Sequence, residues 1–280
     1  MYEGSKDGGR YMYKLIALDM DGTLLTSEKV ISEDTKKALK KAEEKGVKVV
    51  LATGRPLAGI TRFLEELDLF KGNDYALSFN GGLVLNTKTQ EKIYEACLKG
   101  SDLKYVNKLA QELGVNIHAF SVREGLITPK MSQYTEHESK LNGIDVTIKD
   151  FNDVDDDEVI VKIMLIDPQE KLDEAIKKLP SELFEKYSTF KSAPFFFEVT
   201  NKNVDKGMGL KKLGEYLGIK QEEIIACGDA ENDLSMIKYA GLGVAMENAM
   251  DIVKEHANYI TSSNDEGGIV KVIEEFILSK

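Results

Sequence analysis

The sequence predicts a doubly wound α/β fold, a mostly parallel sheet sandwiched by helices, with a second α/β segment inserted into it. Three observations predict it. Apolar runs of strand length alternate with helical stripes. Those runs lack polar alternation, as strands buried on both faces do. Each run stops abruptly at small or polar residues. Leu15-Ile16-Ala17-Leu18 is the first, ending at Asp19-Met20-Asp21-Gly22-Thr23.

Ser32-Glu33-Asp34 then opens a helix, with acids at the positive end of its dipole, and Gly46 closes it. Val47 to Ala52 is a second strand, ending at Thr53-Gly54-Arg55-Pro56, and Pro56 suits the first turn of the next helix. Tyr75 to Phe79 is a third, ending at Asn80-Gly81-Gly82. Leu83–Leu85 and Ile93-Tyr94 flank a polar turn and read as a hairpin, where the rhythm changes. Helices and strands alternate on to Phe195–Val199. The first rhythm resumes with a helix at Lys206-Gly207 and a fourth buried strand, Ile224–Cys227, ending at Gly228-Asp229-Ala230-Glu231-Asn232-Asp233. Gly243–Ala245, Tyr259–Thr261 and a last helix from Gly268 complete the layer. The expected division is therefore a core of residues 12–82 and 198–280 around an inserted domain, 83–197. Residues 1–11, polar and glycine-rich ahead of Met12, read as an expression leader.

Composition narrows the function. A chain of 280 residues favours two domains over one core. A net charge of -11 argues against non-specific binding to nucleic acid or an anionic membrane, and demands a local cation wherever a phosphate is to bind. No apolar run reaches membrane-spanning length. Two distant cysteines, Cys97 and Cys227, read as buried thiols in a reducing cytoplasm. The acidic run Asp150–Glu158 lacks the spaced glycine and closing glutamate of a calcium loop and reads as a solvated loop.

Chemistry gathers at the strand ends. In a doubly wound sheet these converge on one crevice, which brings together Asp19, Asp21, Thr53, Asn80, Asp229, Asn232, Asp233 and Lys206. Two carboxylates two positions apart repel unless a cation lies between them or one keeps a proton. The pair Asp19/Asp21 thus suggests a hard metal and an acid–base couple. Arg55 reads equally as a contact to phosphate, cap or substrate or as a partner for a carboxylate. His118, His137 and His256 have no metal-ligand spacing. His137-Glu138 reads as a surface pair, Cys227 as a core residue, and Phe195–Phe197 as core.

Asp19-x-Asp21-Gly22-Thr23, with Thr53, Lys206 and Gly228-Asp229-x-x-Asn232-Asp233 in that order, resembles the motif series of the haloacid dehalogenase-like phosphohydrolases. The likeness covers the chain after Met12. It is strongest to sugar phosphatases of the Cof-type subgroup through Leu15–Leu25, Val49–Pro56, His137–Ser139, Lys191–Pro194 and Gly243–Met246. Glu247 departs from it, where many relatives have glycine. The resemblance implies a Rossmann-like core with a large α/β cap of the C2B kind. It implies a magnesium-dependent phosphatase of small phosphorylated metabolites, sugar phosphates above all. In it Asp19 is the nucleophile that becomes an aspartyl phosphate, Asp21 the acid–base, and Thr53 and Lys206 the catalytic supports. Mg²⁺ is held by Asp19, the backbone carbonyl of Asp21, and Asp229. The phosphate or substrate is held by Met20, Gly22, Thr53, Gly54, Arg55, Asn80, Lys206 and Asn232, while Asp233 orients its neighbours. Specificity is expected in the cap, with His137 a candidate. The expected state is a cytoplasmic monomer or small homo-oligomer that binds neither nucleic acid nor membrane. The competing readings are a sugar phosphomutase, a receiver-like signalling domain phosphorylated on Asp19, and an inactive binding module. Isomer interconversion without phosphate release marks the mutase. Asp21 argues against the receiver, because an acid–base beside the acceptor shortens the signal.

Overall fold

A computed structural model describes residues 13–279. The expected leader lies outside the described residues. The strands are β1 (Leu15–Leu18), β2 (Lys48–Ala52), β3 (Tyr75–Ser78), β4 (Leu83–Asn86), β5 (Lys92–Glu95), β6 (Leu98–Lys99), β7 (Asn116–Ser121) and β8 (Gly125–Thr128). They continue with β9 (Val146–Ile148), β10 (Val159–Ile166), β11 (Tyr187–Ala193), β12 (Phe196–Asn201), β13 (Ile224–Gly228), β14 (Leu242–Ala245) and β15 (Tyr259–Ile260). The α-helices are α1 (Glu33–Glu44), α2 (Thr61–Glu66), α3 (Gly100–Leu113), α4 (Gln133–Asn142) and α5 (Gln169–Ile176). After them come α6 (Ser181–Lys186), α7 (Lys206–Leu217), α8 (Leu234–Tyr239), α9 (Asp251–His256) and α10 (Gly268–Ile273).

The chain divides into two compact units, one running to Glu95 and resuming at Asp205, the other Ala96–Val204. The first holds an eight-stranded sheet in the order β15-β14-β13-β1-β2-β3-β4-β5, parallel as far as β3. All four residues of β1 are fully buried. Ile16 and Leu18 face one apolar cluster with α1 and α10, Leu15 and Ala17 a second with α7 and α8. Two covered faces are why this strand has no polar alternation.

The division differs from the expected one. The hairpin β4–β5 adds two antiparallel strands to the edge of the first sheet, so the first unit continues to Glu95 rather than residue 82. At the other end, β12 pairs with β10 and β11, so the second unit runs to Val204 rather than residue 197. A change from parallel to antiparallel rhythm is thus a change of connection, not of sheet.

The second unit is a seven-stranded sheet, β11-β12-β10-β7-β8-β9, with β6 also on β10. One face carries Ile117, Ala119, Ile163, Leu165, Phe197 and Val199 beneath α3 and α5. The other is polar at its centre. His118 is fully buried between Thr135 and Met164, and Lys162 lies 3.4 Å from Glu138 and 3.3 Å from Glu198. The expected surface pair is therefore split: His137 is exposed against Phe195, while Glu138 is buried. Phe196 and Phe197 are core; Phe195 is half-buried and stacks on Tyr134. In the acidic run, Phe151 is buried, while Asp156 and Asp157 pair with Lys104 and Lys99 at the surface. Cys227 is buried and Cys97 only half-buried. Among the described residues no helix is long and apolar enough to cross a membrane.

Burial, then the charge of Lys162, pushes the His118 imidazole down to about 3. A histidine kept neutral in the fold but free to protonate when unfolded draws stability away as pH falls below 6.5 toward 3. The expected effect is on the order of a few kcal/mol. His118→Leu should therefore melt lower than the parent at pH 7 yet lose less on going to pH 5, which thermal melts at the two pH values read directly.

Candidate active site

The four strand ends do meet. Leu18 lies beside Leu51 on one side and Cys227 on the other, and Ala52 beside Leu77. Residues 19, 53, 80 and 229 therefore emerge from adjacent strands at the carboxyl edge of the sheet. The chain runs from β1 to β2 and β3 on one side of β1, and β13 returns on the other. This reversal is the topological switch where such sheets place ligands.

At its centre is a buried ammonium. Lys206, the first residue of α7, has no exposed surface and donates to Asp19 and, at 2.6 Å, to Asp233. Asp205 caps the helix by accepting from the Met208 N–H at 2.7 Å, which fixes where Lys206 begins. Asp233 spends its other oxygen on the Asp229 and Ala230 N–H groups, at 2.9 and 3.0 Å. Both oxygens of Asp233 are thus committed within the protein, in keeping with an orienting residue. Asp229 accepts from the Thr23 hydroxyl at 2.7 Å.

Asp19, Asp229 and Asp233 each bring an oxygen within 4.8 Å of the others, and one lysine pairs with two of them, Asp19 and Asp233. Burial first, and repulsion from Asp233 and Asp229 after it, push Asp19 up to about 7 against the pull of Lys206. The Lys206 pKa is also raised, because its two carboxylates outweigh the cost of burial. The proton they compete for stays on the lysine, which has two anionic neighbours to the aspartate's one cation. Asp229 too is raised, by burial and by Asp233, despite the Thr23 hydrogen bond. A cluster of hard oxygens short of positive charge is what a divalent cation relieves. The residues present fit Mg²⁺: Asp19 and Asp229 offer carboxylate oxygens, and Asp21 its carbonyl from the same turn.

Asp21 itself is in different surroundings. Arg55 grips its carboxylate at 2.7–3.0 Å and Lys29 reaches it at 2.9 Å. Burial raises its pKa, but these two cations outweigh burial and hold it below the usual carboxylate range. Of the two readings of Arg55, the carboxylate partner is the one observed. Lys29 is a residue the sequence did not single out. It follows the motif in a turn closed by the Lys29 N–H to the Thr26 carbonyl, at a φ of 62°. Asn248, also unforeseen, donates to the Gly22 carbonyl at 2.8 Å.

The remaining residues line the same turns. Thr53 is buried, its oxygen accepts from the Arg55 N–H at 3.2 Å, and among the described residues its hydroxyl proton has no acceptor. Asn80 stands in the left-handed region, φ 55°, and accepts from Asn232 at 3.0 Å, which joins the third strand end to the fourth. Met20 and Gly22 belong to the first turn and Gly54 to the second, while the Met20 side chain is core. Gly22 has φ +88°, and a Cβ there would stand 2.4 Å from an Asp229 oxygen, so the turn closes only on glycine. Gly81 is similarly constrained: a Cβ would sit 2.4 Å from the Asp205 carbonyl, so its smallness lets the start of α7 approach.

Residues 16–273 match the haloacid dehalogenase-like hydrolase family. A putative phosphatase of Bacillus subtilis, YxeH, is 42% identical over 96% of this chain and all of its own. The 5-amino-6-(5-phospho-D-ribitylamino)uracil phosphatase YcsE of the same organism is 35% identical over 95% of this chain and 96% of its own. The solved structure of the subclass IIB sugar phosphatase BT4131 superposes with a TM-score of 0.73 at 27% identity, over 94% of this chain and 98% of that one. The chain belongs to the haloacid dehalogenase-like hydrolases. It is a phosphatase of that family.

Proposed function

We propose that this enzyme is a magnesium-dependent phosphatase of small phosphorylated metabolites, sugar phosphates foremost, and that it works through an aspartyl phosphate on Asp19. The observation that carries the reading is the buried Lys206–Asp19 pair beside Asp229 at the topological switch. It is a carboxylate nucleophile with a fixed cation behind it. The sugar-phosphate preference is supported by the names of two of these similar proteins, a phosphatase of a phosphoribityl compound and a sugar phosphatase.

An Asp19 oxygen attacks phosphorus as the bond to the substrate oxygen breaks, and Asp21, which enters this half-reaction in its protonated form, gives the leaving oxygen its proton. Asp21 then takes a proton from water as the water oxygen attacks phosphorus, and the Asp19–phosphorus bond breaks to release phosphate, which leaves Asp19 a carboxylate and returns to Asp21 the proton it gave up. Splitting one displacement in two lets each use a positioned group, and acid–base help of this kind is worth roughly 10²–10⁴-fold. Asp21 suits the second half-reaction as it stands, since Arg55 and Lys29 keep it ionised. Thr53 presents its free hydroxyl proton to a phosphoryl oxygen, and Lys206 neutralises charge on the nucleophile and the transferring group. Asn80 and Asn232, joined to each other, serve as contacts for substrate or phosphate. Magnesium, held by Asp19, Asp229 and the Asp21 carbonyl, would supply charge neutralisation at the phosphoryl oxygens.

The test is magnesium-dependent phosphate release over a panel of hexose and pentose phosphates, ribityl phosphates, nucleotides and phosphorylated vitamins. Chelation is expected to abolish release and added Mg²⁺ to restore it. The same ion is expected to raise the melting temperature, by an amount equivalent to about 2.7 kcal/mol at a hundred times its dissociation constant. A stabilised, metal-loaded protein that releases phosphate from nothing in the panel would count against the reading. Full activity in chelator would remove the metal from it.

A further inference from the structure

The sheet of the second unit ends on β9, whose outer edge has no neighbour among the described residues. Val146 and Ile148 align with Leu126 and Thr128 of β8, and the Lys149 N–H donates to the Thr128 carbonyl at 2.9 Å. Backbone groups alternate along a strand. Those of Thr147 and Lys149 therefore point to β8, and those of Val146 and Ile148 point outward. Among the described residues nothing pairs with them.

Sheet edges are ordinarily blunted by charge, a bulge or brevity. At the far side of this sheet β11 has an irregularity at Lys191/Ala193 and an exposed lysine on it. In the other unit β5 begins and ends on charged residues, and β15 is two residues long. The short edge at β9 is instead Val-Thr-Ile, all β-branched. Ile148 is 65% exposed, and so is 71% of Leu141 in α4, the helix packed beside it.

We infer that β9 is the joint of a homodimer, pairing antiparallel with β9 of a second copy about a two-fold axis at Thr147. That register sets Val146 opposite Ile148, which are the residues with outward backbone groups, so each such pair exchanges both its hydrogen bonds. It also sets the exposed Asp145 opposite Lys149 of the second copy, twice over. The Lys149 ammonium already meets Glu124 at 2.6 Å and would gain a second carboxylate. Centring on Val146 or Ile148 keeps the hydrogen bonding but sets an apolar residue against itself and leaves both charges unmatched. The occupant is a second copy because the edge complements itself, which is the requirement of a two-fold interface.

Sedimentation equilibrium is expected to show a reversible dimer of the whole protein. Asp145→Lys or Lys149→Asp alone should raise its dissociation constant about tenfold, two cross-strand pairs being altered at once. The double swap should restore it. Thr147→Cys offers an independent readout. Directly opposed, non-hydrogen-bonded residues have Cα atoms about 4.5 Å apart, within reach of a disulfide. Mild oxidation should therefore link Thr147→Cys dimers and leave Asp145→Cys and the parent unlinked. A monomer at every concentration with no cross-linking would overturn the inference. So would a dimer indifferent to both the charge swap and Thr147→Cys, since its interface would lie elsewhere.

Discussion

Asp19→Asn is expected to lower phosphate release by about 10⁴-fold or more, because an amide oxygen cannot replace the carboxylate as nucleophile. The fold should survive. Asp19 sits among carboxylates that, together with burial, push its pKa up, so its charge is a cost to the metal-free protein at neutral pH. A group raised in this way draws stability away as pH climbs from its ordinary value toward 7. The variant, which lacks that titration, should therefore show a flatter stability profile between pH 4 and 7 and melt no lower than the parent at pH 7 in chelator. It should also gain less from magnesium. Phosphate release and melting curves of the two proteins, with and without the ion, separate loss of chemistry from loss of structure. A variant that melts well below its parent in chelator would contradict this account of the charges.

Lys206→Met is expected to cost both activity and stability. Its ammonium is wholly buried and is the cation shared by Asp19 and Asp233. Breaking a buried pair by removing one partner typically costs about 3–5 kcal/mol, since the remaining charge stays buried and uncompensated. The lysine is raised in the fold, so its contribution is fully present at neutral pH and fades only as pH rises past its unfolded value. Urea denaturation at pH 7 should show the loss. Adding Asp233→Asn should return part of the stability and none of the activity. If Lys206→Met unfolded at the same urea concentration as its parent, the buried pair would not be the anchor of the site.

Most of the fold and the centre of the site were legible because they rest on short-range physics. Leu15–Leu18 announces a strand covered on both faces, and its abrupt end at Asp19 announces a crevice. The converging ends at Thr53, Asn80 and Asp229 follow from the doubly wound connection. What was not legible depends on partners distant in sequence. The hairpin at 83–95 reads as a change of domain because its antiparallel turn breaks the rhythm, yet it extends the same sheet. The edge strand Tyr187–Ala193 alternates too weakly to be read from its sequence alone, and β8 and β9 are too short. Lys29, Arg55 and Asn248 show the same limit at the site. Long or flexible side chains carry no periodicity that says which carboxylate or carbonyl they reach, and only the assembled turns decide it. His137 and Glu138 are neighbours in sequence with opposite fates, because a helix turns adjacent side chains about 100° apart.

The most direct measurement is acid quenching of the enzyme during turnover of a ³²P-labelled sugar phosphate, followed by peptide mapping. Label is expected on the peptide that contains Asp19, released by hydroxylamine as an acyl phosphate is, and more of it in Asp21→Asn, where water attack is slowed. Turnover that continues while no label is found on the protein in either form would contradict covalent catalysis by Asp19.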